Sequence, residues 1–256
     1  IQVEGKEMAV RFPKHLLAAV LLAASGACIA DEIRVAAASN FRGTLSVLAG
    51  RYEQDSGHKV LLIFGSTGKH YAQVIHGAPF DAFLAADSER PARLEKSGMT
   101  VPGSRFTYAR GQLVLFRPGR HESRLDETFL ESGDFRHLAM ANPELAPYGR
   151  AARETLVSLG LWETLERRLV RGENISQTFQ FVMSGNAEAG FIARSQLEPR
   201  AELSPGNHWL VPPDLHRPID QQAVLLKDTP AARDFMLYLQ SDEAITVILD
   251  HGYLRP

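Results

Sequence analysis

Ile33-Arg34-Val35-Ala36-Ala37-Ala38-Ser39-Asn40 decides the fold: a short apolar run delivers two small polar residues to the start of an amphipathic stretch. Ile33 to Ala38 reads as a buried strand. Leu45, Leu48, Ala49 and Tyr52 then recur at helical spacing, and Gly57 supplies a stop. The same unit returns further on. Val60 to Phe64 is a second strand, Gly65-Ser66-Thr67-Gly68 a turn, and Tyr71, Val74 and Ile75 mark a second helix. Phe83 to Ala85 is a third strand, followed by a helix entered through Asp87-Ser88 with Pro91 in its first turn. Strands alternating with helices mark an α/β protein with mostly parallel sheet, whose ligands bind at the carboxyl ends of the strands.

Leu113 to Phe116 reads as the next strand and Pro118 to Asp134 as a polar connection. Leu138 to Ala141 starts a second series, with helices expected near Arg150 to Leu159, Trp162 to Val170 and Ser176 to Ser184, and a strand at Ala189 to Ala193. Glu198 to Pro218 contains Pro199, Pro205, Pro212, Pro213 and Pro218 and is expected to be loop and short extended pieces. Ala223 to Leu226 returns as a strand, and two helices finish the chain. The plausible architecture is two lobes, the first made of residues 31–110 and 220–256 and the second of residues 111–219. Strands near Gly111 to Arg117 and Gln221 to Lys227 would cross between them as a hinge. The pattern alone leaves a single doubly wound domain open as the alternative.

The 256 residues are 45% hydrophobic and 23% charged with a formal net charge of −2, an ordinary globular composition without the basic face that a nucleic-acid backbone requires. Residues 1–30 read as upstream residues plus a cleaved signal peptide. Met8 is a plausible start, Arg11 and Lys14 are basic, Leu16 to Ala24 is apolar, and cleavage after Ala30 would leave Asp31 first. The single cysteine, Cys28, falls in this segment, so disulfides are not expected after cleavage, and lipid attachment at Cys28 is disfavoured by Ser25. These features predict a periplasmic protein.

The chemistry lies in the turns. Ala38-Ser39-Asn40, Gly65-Ser66-Thr67-Gly68, Ala146-Pro147-Tyr148-Gly149 and Asn174-Ile175-Ser176 each open an expected helix. The first N–H groups of a helix have no intrahelical partner, and with hydroxyl or amide side chains beside them they form an oxyanion site that needs no cation. Ser39 is also explained as a simple helix cap. Gly65 and Gly68 let backbone approach a ligand while Ser66 and Thr67 present hydroxyls. Gly68-Lys69 is not a nucleotide P-loop, since Ile63 and His70 stand where that motif needs glycine and Ser or Thr; Lys69 reads as a surface lysine. Pro147 suits a first helical position, which leaves the N–H groups of Tyr148 and Gly149 free, and the Tyr148 hydroxyl is a further candidate donor. Ile175 offers only its backbone, and spacing does not single it out. A hydrolase is disfavoured: among nine histidines there is no H-E-x-x-H, and no G-x-S-x-G elbow occurs. His208 and His216 read as loop histidines.

Ala38-Ser39-Asn40-Phe41, Gly65-Ser66-Thr67-Gly68 with Tyr71-Ala72-Gln73, Gly77-Ala78-Pro79, Ala85-Ala86-Asp87, residues 102–108, Asn142-Pro143, Ala146-Pro147-Tyr148-Gly149 and Gln221-Gln222-Ala223-Val224 together resemble the periplasmic molybdate-binding proteins of ABC importers, the ModA family. The resemblance spans about Asp31 to Pro256. It implies a two-lobed, type II periplasmic binding protein with the ligand cleft between lobes, two hinge strands and no enzymatic activity. By the same resemblance, Ser39 and Asn40 lie at the first ligand turn, Thr67 supplies the hydroxyl of the second, and Tyr148 and Ile175 occupy backbone-donor positions. Ser66 ranks second, and Thr67 departs from the serine more usual there. Molybdate or tungstate is the implied ligand, with no cofactor, and the implied partner is the membrane permease of an ABC importer, served by a monomer. A dianion has only acceptors and suits a pocket of donors, whereas hydrogen phosphate also brings a proton that needs an acceptor. Sulfate would be refused mainly by size. A sulfate- or phosphate-binding protein is the nearest rival reading.

Overall fold

The computed structural model describes residues 1, 31–119, 121, 123–197 and 206–256. The expected signal peptide, Cys28 and residues 198–205 of the proline-rich stretch lie outside the described residues.

Two five-stranded sheets carry the chain. The first contains β1 (Glu32–Ala38), β2 (Lys59–Gly65), β3 (Ala82–Ala85), β4 (Phe106–Gly111) and β10 (Ile219–Leu225), in the order β2-β1-β3-β10-β4. The second contains β5 (Leu113–Phe116), β6 (Leu138–Ala141), β7 (Leu169–Gly172), β8 (Ala189–Ala193) and β9 (His208–Leu210), in the order β7-β6-β8-β5-β9. Each sheet has a parallel block, β2-β1-β3 and β7-β6-β8, which the strand-helix alternation produces. Each block is extended by antiparallel strands, β10 and β4 in one sheet and β5 and β9 in the other, so the sheets are mixed. The chain leaves the first sheet through Gln112, alone between β4 and β5, and returns to it between Leu210 and Ile219.

The helices are α1 (Arg42–Ser56), α2 (Thr67–Ile75), α3 (Glu89–Lys96), α4 (Glu127–Ser132), α5 (Pro147–Ser158), α6 (Trp162–Leu165), α7 (Ile175–Met183), α8 (Pro230–Tyr238) and α9 (Asp242–Asp250). α1 stops at Gly57, whose left-handed φ of 76° a side chain would strain. The helix expected over Trp162 to Val170 is much shorter: α6 gives way to a 3-10 turn at Glu166–Arg168, and Leu169 and Val170 enter β7. Their main-chain pairing with Leu138 and Ala139 of β6 overrides the helical spacing.

Alternation along the strands builds a core on both faces of each sheet. In β1, Val35 and Ala37 face a cluster with Phe41, Leu45 and Phe235, while Ala36 faces Val74, Phe83 and Leu94 on the other side. In β6, Leu138 and Met140 pack with Leu156 and Phe191, and Ala139 packs with Val114 and Val182. Each fully buried Leu or Phe contributes about 1.5–3 kcal/mol of hydrophobic stabilisation, which fixes the strands whose carboxyl ends carry the site.

Candidate functional site

The four turns converge on one tight cavity of about 10 Å³, lined by Ala38 to Asn40, Gly65 to Thr67, Ala86, Ala146 to Tyr148, Asn174 and Ile175. Ser39, Asn40, Ser66, Thr67, Tyr148 and Ile175 therefore share one wall-to-wall space, drawn from both sheets' turns. No Lys, Arg, Asp, Glu or His is among its lining residues. His208 and His216 stand elsewhere: His208 is in β9, and His216 Nδ1 lies 2.8 Å from the Arg217 carbonyl oxygen.

Capping decides which main-chain N–H groups remain available. At the start of α7, Asn174 Oδ1 accepts from the N–H groups of Ser176 at 3.0 Å and Gln177 at 3.1 Å, and the Thr178 N–H donates to the Asn174 carbonyl at 3.1 Å. Ile175 is the first-turn residue left without a partner among the described hydrogen bonds. At the start of α2, Ser66 Oγ accepts from the Lys69 N–H, and the Gly68 N–H donates to the Leu145 carbonyl at 2.8 Å. That leaves the Thr67 N–H. In α5, Pro147 has no N–H, and Gly149 is pressed so close to the Ala141 carbonyl that a Cβ there would lie 2.2 Å from its oxygen. Tyr148 is the donor facing the cavity. The positive ends of three helices thus meet at one point, where an anion gains from each.

The side chains refine the expected donor set. Thr67 Oγ1 accepts from the Ala86 N–H at 3.0 Å, so its own hydrogen is free to donate. Ser39 Oγ donates to Asn174 Oδ1 at 3.2 Å, tying the first turn to the fourth. Asn40 does not offer its side-chain amide: both hydrogens of Nδ2 are engaged, with Gln221 Oε1 at 2.8 Å and Tyr253 Oη at 3.0 Å. The Tyr148 hydroxyl is likewise directed away, accepting from Gln221 Nε2 at 3.2 Å. Burial holds the hydroxyl pKa values of Tyr148, Tyr108 and Tyr253 above the ordinary 10, so all three remain protonated. Ser66 acts as the cap of α2.

The two lobes touch around the cavity. Besides the Gly68–Leu145 bond, Arg90 Nη2 donates to the Glu144 carbonyl at 2.9 Å, Arg150 pairs with Glu89 at 3.2 Å, and Lys69 pairs with Glu173 at 3.1 Å. Lys69 is therefore part of a rim ion pair. The residues that sequence reasoning left without a role are Asn174, which selects the Ile175 donor, and Gln221, which holds Asn40 and Tyr148. A glutamine at the buried position between Ile219 and Ala223, in a strand whose alternate residues Asp220 and Gln222 are only partly buried, was the available signal.

Two lobes enclosing a cavity of neutral donors define a solute-binding protein. Residues 33–254 match the family of bacterial extracellular solute-binding proteins. The molybdate-binding protein ModA of Azotobacter vinelandii is 48% identical over 234 residues, which cover 89% of this chain and 92% of that one. ModA of Rhodobacter capsulatus is 39% identical over 254 residues, covering 95% and 98%. The solved structure of the Azotobacter vinelandii periplasmic molybdate-binding protein matches with a TM-score of 0.82 at 39% identity, covering 88% of this chain and 99% of that one. The chain belongs to the solute-binding family, on its ModA branch, and is a binding protein rather than an enzyme.

Proposed function

We propose that this protein captures molybdate, and tungstate with it, in the periplasm and hands the anion to the membrane permease of an ABC importer. The carrying observation is the convergence of the Thr67, Tyr148 and Ile175 N–H groups and the Thr67 hydroxyl on a cavity with no charged lining residue. Such a site offers hydrogens and no acceptor carboxylate, which suits a fully ionised tetrahedral dianion. The names of the Azotobacter and Rhodobacter relatives support the choice of molybdate. Tungstate, alike in charge and size, meets the same donors.

In this reading the first lobe is residues 31–110 with 220–256 and the second is residues 111–219. Ser39, Asn40, Thr67, Tyr148 and Ile175 surround the anion, with Ser66 supporting Thr67. The protein acts as a monomer without a cofactor, and residues 1–30 are removed on export. Thermal unfolding with molybdate, tungstate, sulfate and phosphate tests it: a ligand at about a hundred times its dissociation constant adds roughly 2.7 kcal/mol of stability. A shift with sulfate or phosphate and none with molybdate or tungstate refutes the assignment.

A further inference from the structure

We propose that Gln221 is a positioning residue for anion capture, whose buried side-chain amide locks the hinge in the closed arrangement by holding one cavity residue from each lobe. The inference rests on the oxyanion-binding reading above.

Gln221 is fully buried, on β10, at the point where the β10–β4 register shifts between Gln221 and Gln222. This strand begins where the chain re-enters the first sheet. Its amide is used at both ends. Oε1 accepts from Asn40 Nδ2 at 2.8 Å and from the Tyr108 hydroxyl at 3.0 Å, and Nε2 donates to the Tyr148 hydroxyl at 3.2 Å. Asn40 belongs to the first lobe's ligand turn and Tyr148 to the second lobe's. The Tyr253 hydroxyl closes the network by donating to the Asn40 carbonyl at 2.9 Å. Burial keeps the tyrosines protonated, so the network is held by neutral hydrogen bonds, in which the Gln221 amide accepts from Asn40 and Tyr108 of the first lobe and donates to Tyr148 of the second.

The other chain crossing is shaped to admit this contact. Gly111 ends β4, beside Gln112, and a Cβ on it would lie 2.2 Å from Tyr148 Oη and 2.7 Å from Gln221 Nε2. Opening the lobes must carry Tyr148 away from β10 and break the Nε2–Oη bond, leaving a buried amide hydrogen to find another partner. Anion contact with the Tyr148 N–H and the hinge contact of its hydroxyl are then made by one residue, so each favours the other.

The test uses Gln221→Leu, Tyr148→Phe and their combination, in a Cys28→Ser background with spin labels on cysteines placed at exposed Val47 and Val157, one per lobe. We expect Tyr148→Phe to speed molybdate dissociation about three- to tenfold, the range one lost buried hydrogen bond gives, and Gln221→Leu, which also releases Asn40 and Tyr108, at least as much. The combination should exceed the larger single effect only slightly, because both remove the same bond. With saturating molybdate, the distance distributions of the variants should gain an open component absent from the parent. Parent-like rates and distances in Tyr148→Phe overturn the proposal, as does a lowered unfolding temperature of Gln221→Leu with unchanged distances; should Gln221→Leu not fold, Tyr148→Phe decides. If the parent binds neither molybdate nor tungstate, the proposed function falls, and the same measurements with sulfate or phosphate, whichever binds, decide the role of Gln221.

Discussion

Gly68→Ala should separate the stability of the unliganded protein from its hold on the anion, moving the two in opposite directions. Gly68 is the second residue of α2, and its φ is not positive, so alanine fits the helix and gains up to about 1 kcal/mol of local stability from lower unfolded-state entropy. In the closed arrangement the added Cβ would meet the second lobe 3.0 Å from the Leu145 carbonyl oxygen and 3.1 Å from Leu145 Cα, and would lie 3.3 Å from Arg90 Nη2 of its own lobe. The first two are backbone atoms that cannot swing aside as a side chain does. The lobes must part by a few tenths of an ångström, stretching the 2.8 Å bond from the Gly68 N–H to Leu145. Losing much of that bond costs about 0.5–1.5 kcal/mol, and crowding adds a similar amount. These sum to about 1–3 kcal/mol, so we expect molybdate to bind roughly five- to 140-fold more weakly, since 1.4 kcal/mol is tenfold. Isothermal titration calorimetry gives the affinity and thermal unfolding without anion gives the stability. An affinity within twofold of the parent would refute the argument that this backbone contact forms part of closure.

Three further outcomes are expected. Thr67→Ala removes both a ligand hydroxyl and the acceptor of the buried Ala86 N–H, so molybdate affinity falls and the unliganded protein loses about 1–3 kcal/mol, whereas Thr67→Ser keeps both properties; calorimetry with and without anion distinguishes them. Asn174→Ala strips the cap from Ser176 and Gln177 and the acceptor from Ser39, costing about 1–2 kcal/mol in thermal unfolding. Burial lowers the pKa of His70 below the ordinary 6.5, outweighing the Gln73 hydrogen bond that raises it. The unfolded chain then binds the extra proton first, so stability from this group is complete above about pH 6.5 and declines as pH falls toward the folded pKa. Urea unfolding of ligand-free His70→Gln between pH 7.5 and 5 should show a shallower decline than the parent.

The alternation of strand and helix was legible because Ile33 to Ala38, Val60 to Phe64 and Leu138 to Ala141 are short apolar runs closed by small polar residues. β7 was not. Trp162, Leu165 and Leu169 fall at helical spacing, and only the pairing of Leu169 with Leu138, 31 residues away in sequence, makes the last of them a strand residue. In the site, the hydroxyl of Thr67 was readable because it stands at a helix start. The identity of the free N–H in α7 was not readable from spacing, because it depends on where the Asn174 side chain spends its acceptor. The Asn40 side-chain amide gives its hydrogens to Gln221 and Tyr253, and the Tyr148 hydroxyl accepts from Gln221. That pairing joins residues 73 positions apart, and local pattern holds no trace of it.

The donor at Ile175 belongs to the main chain, and this makes the position chemically silent to most replacements. Valine or leucine there leaves the N–H where it was. Proline alone erases the hydrogen. It is tolerated at a first helical position, and the extended Asn174 before it, with ψ of 172°, accepts it. The genetic alphabet thus contains one letter that edits the contact proposed for Ile175, and a scan by alanine would pass over it.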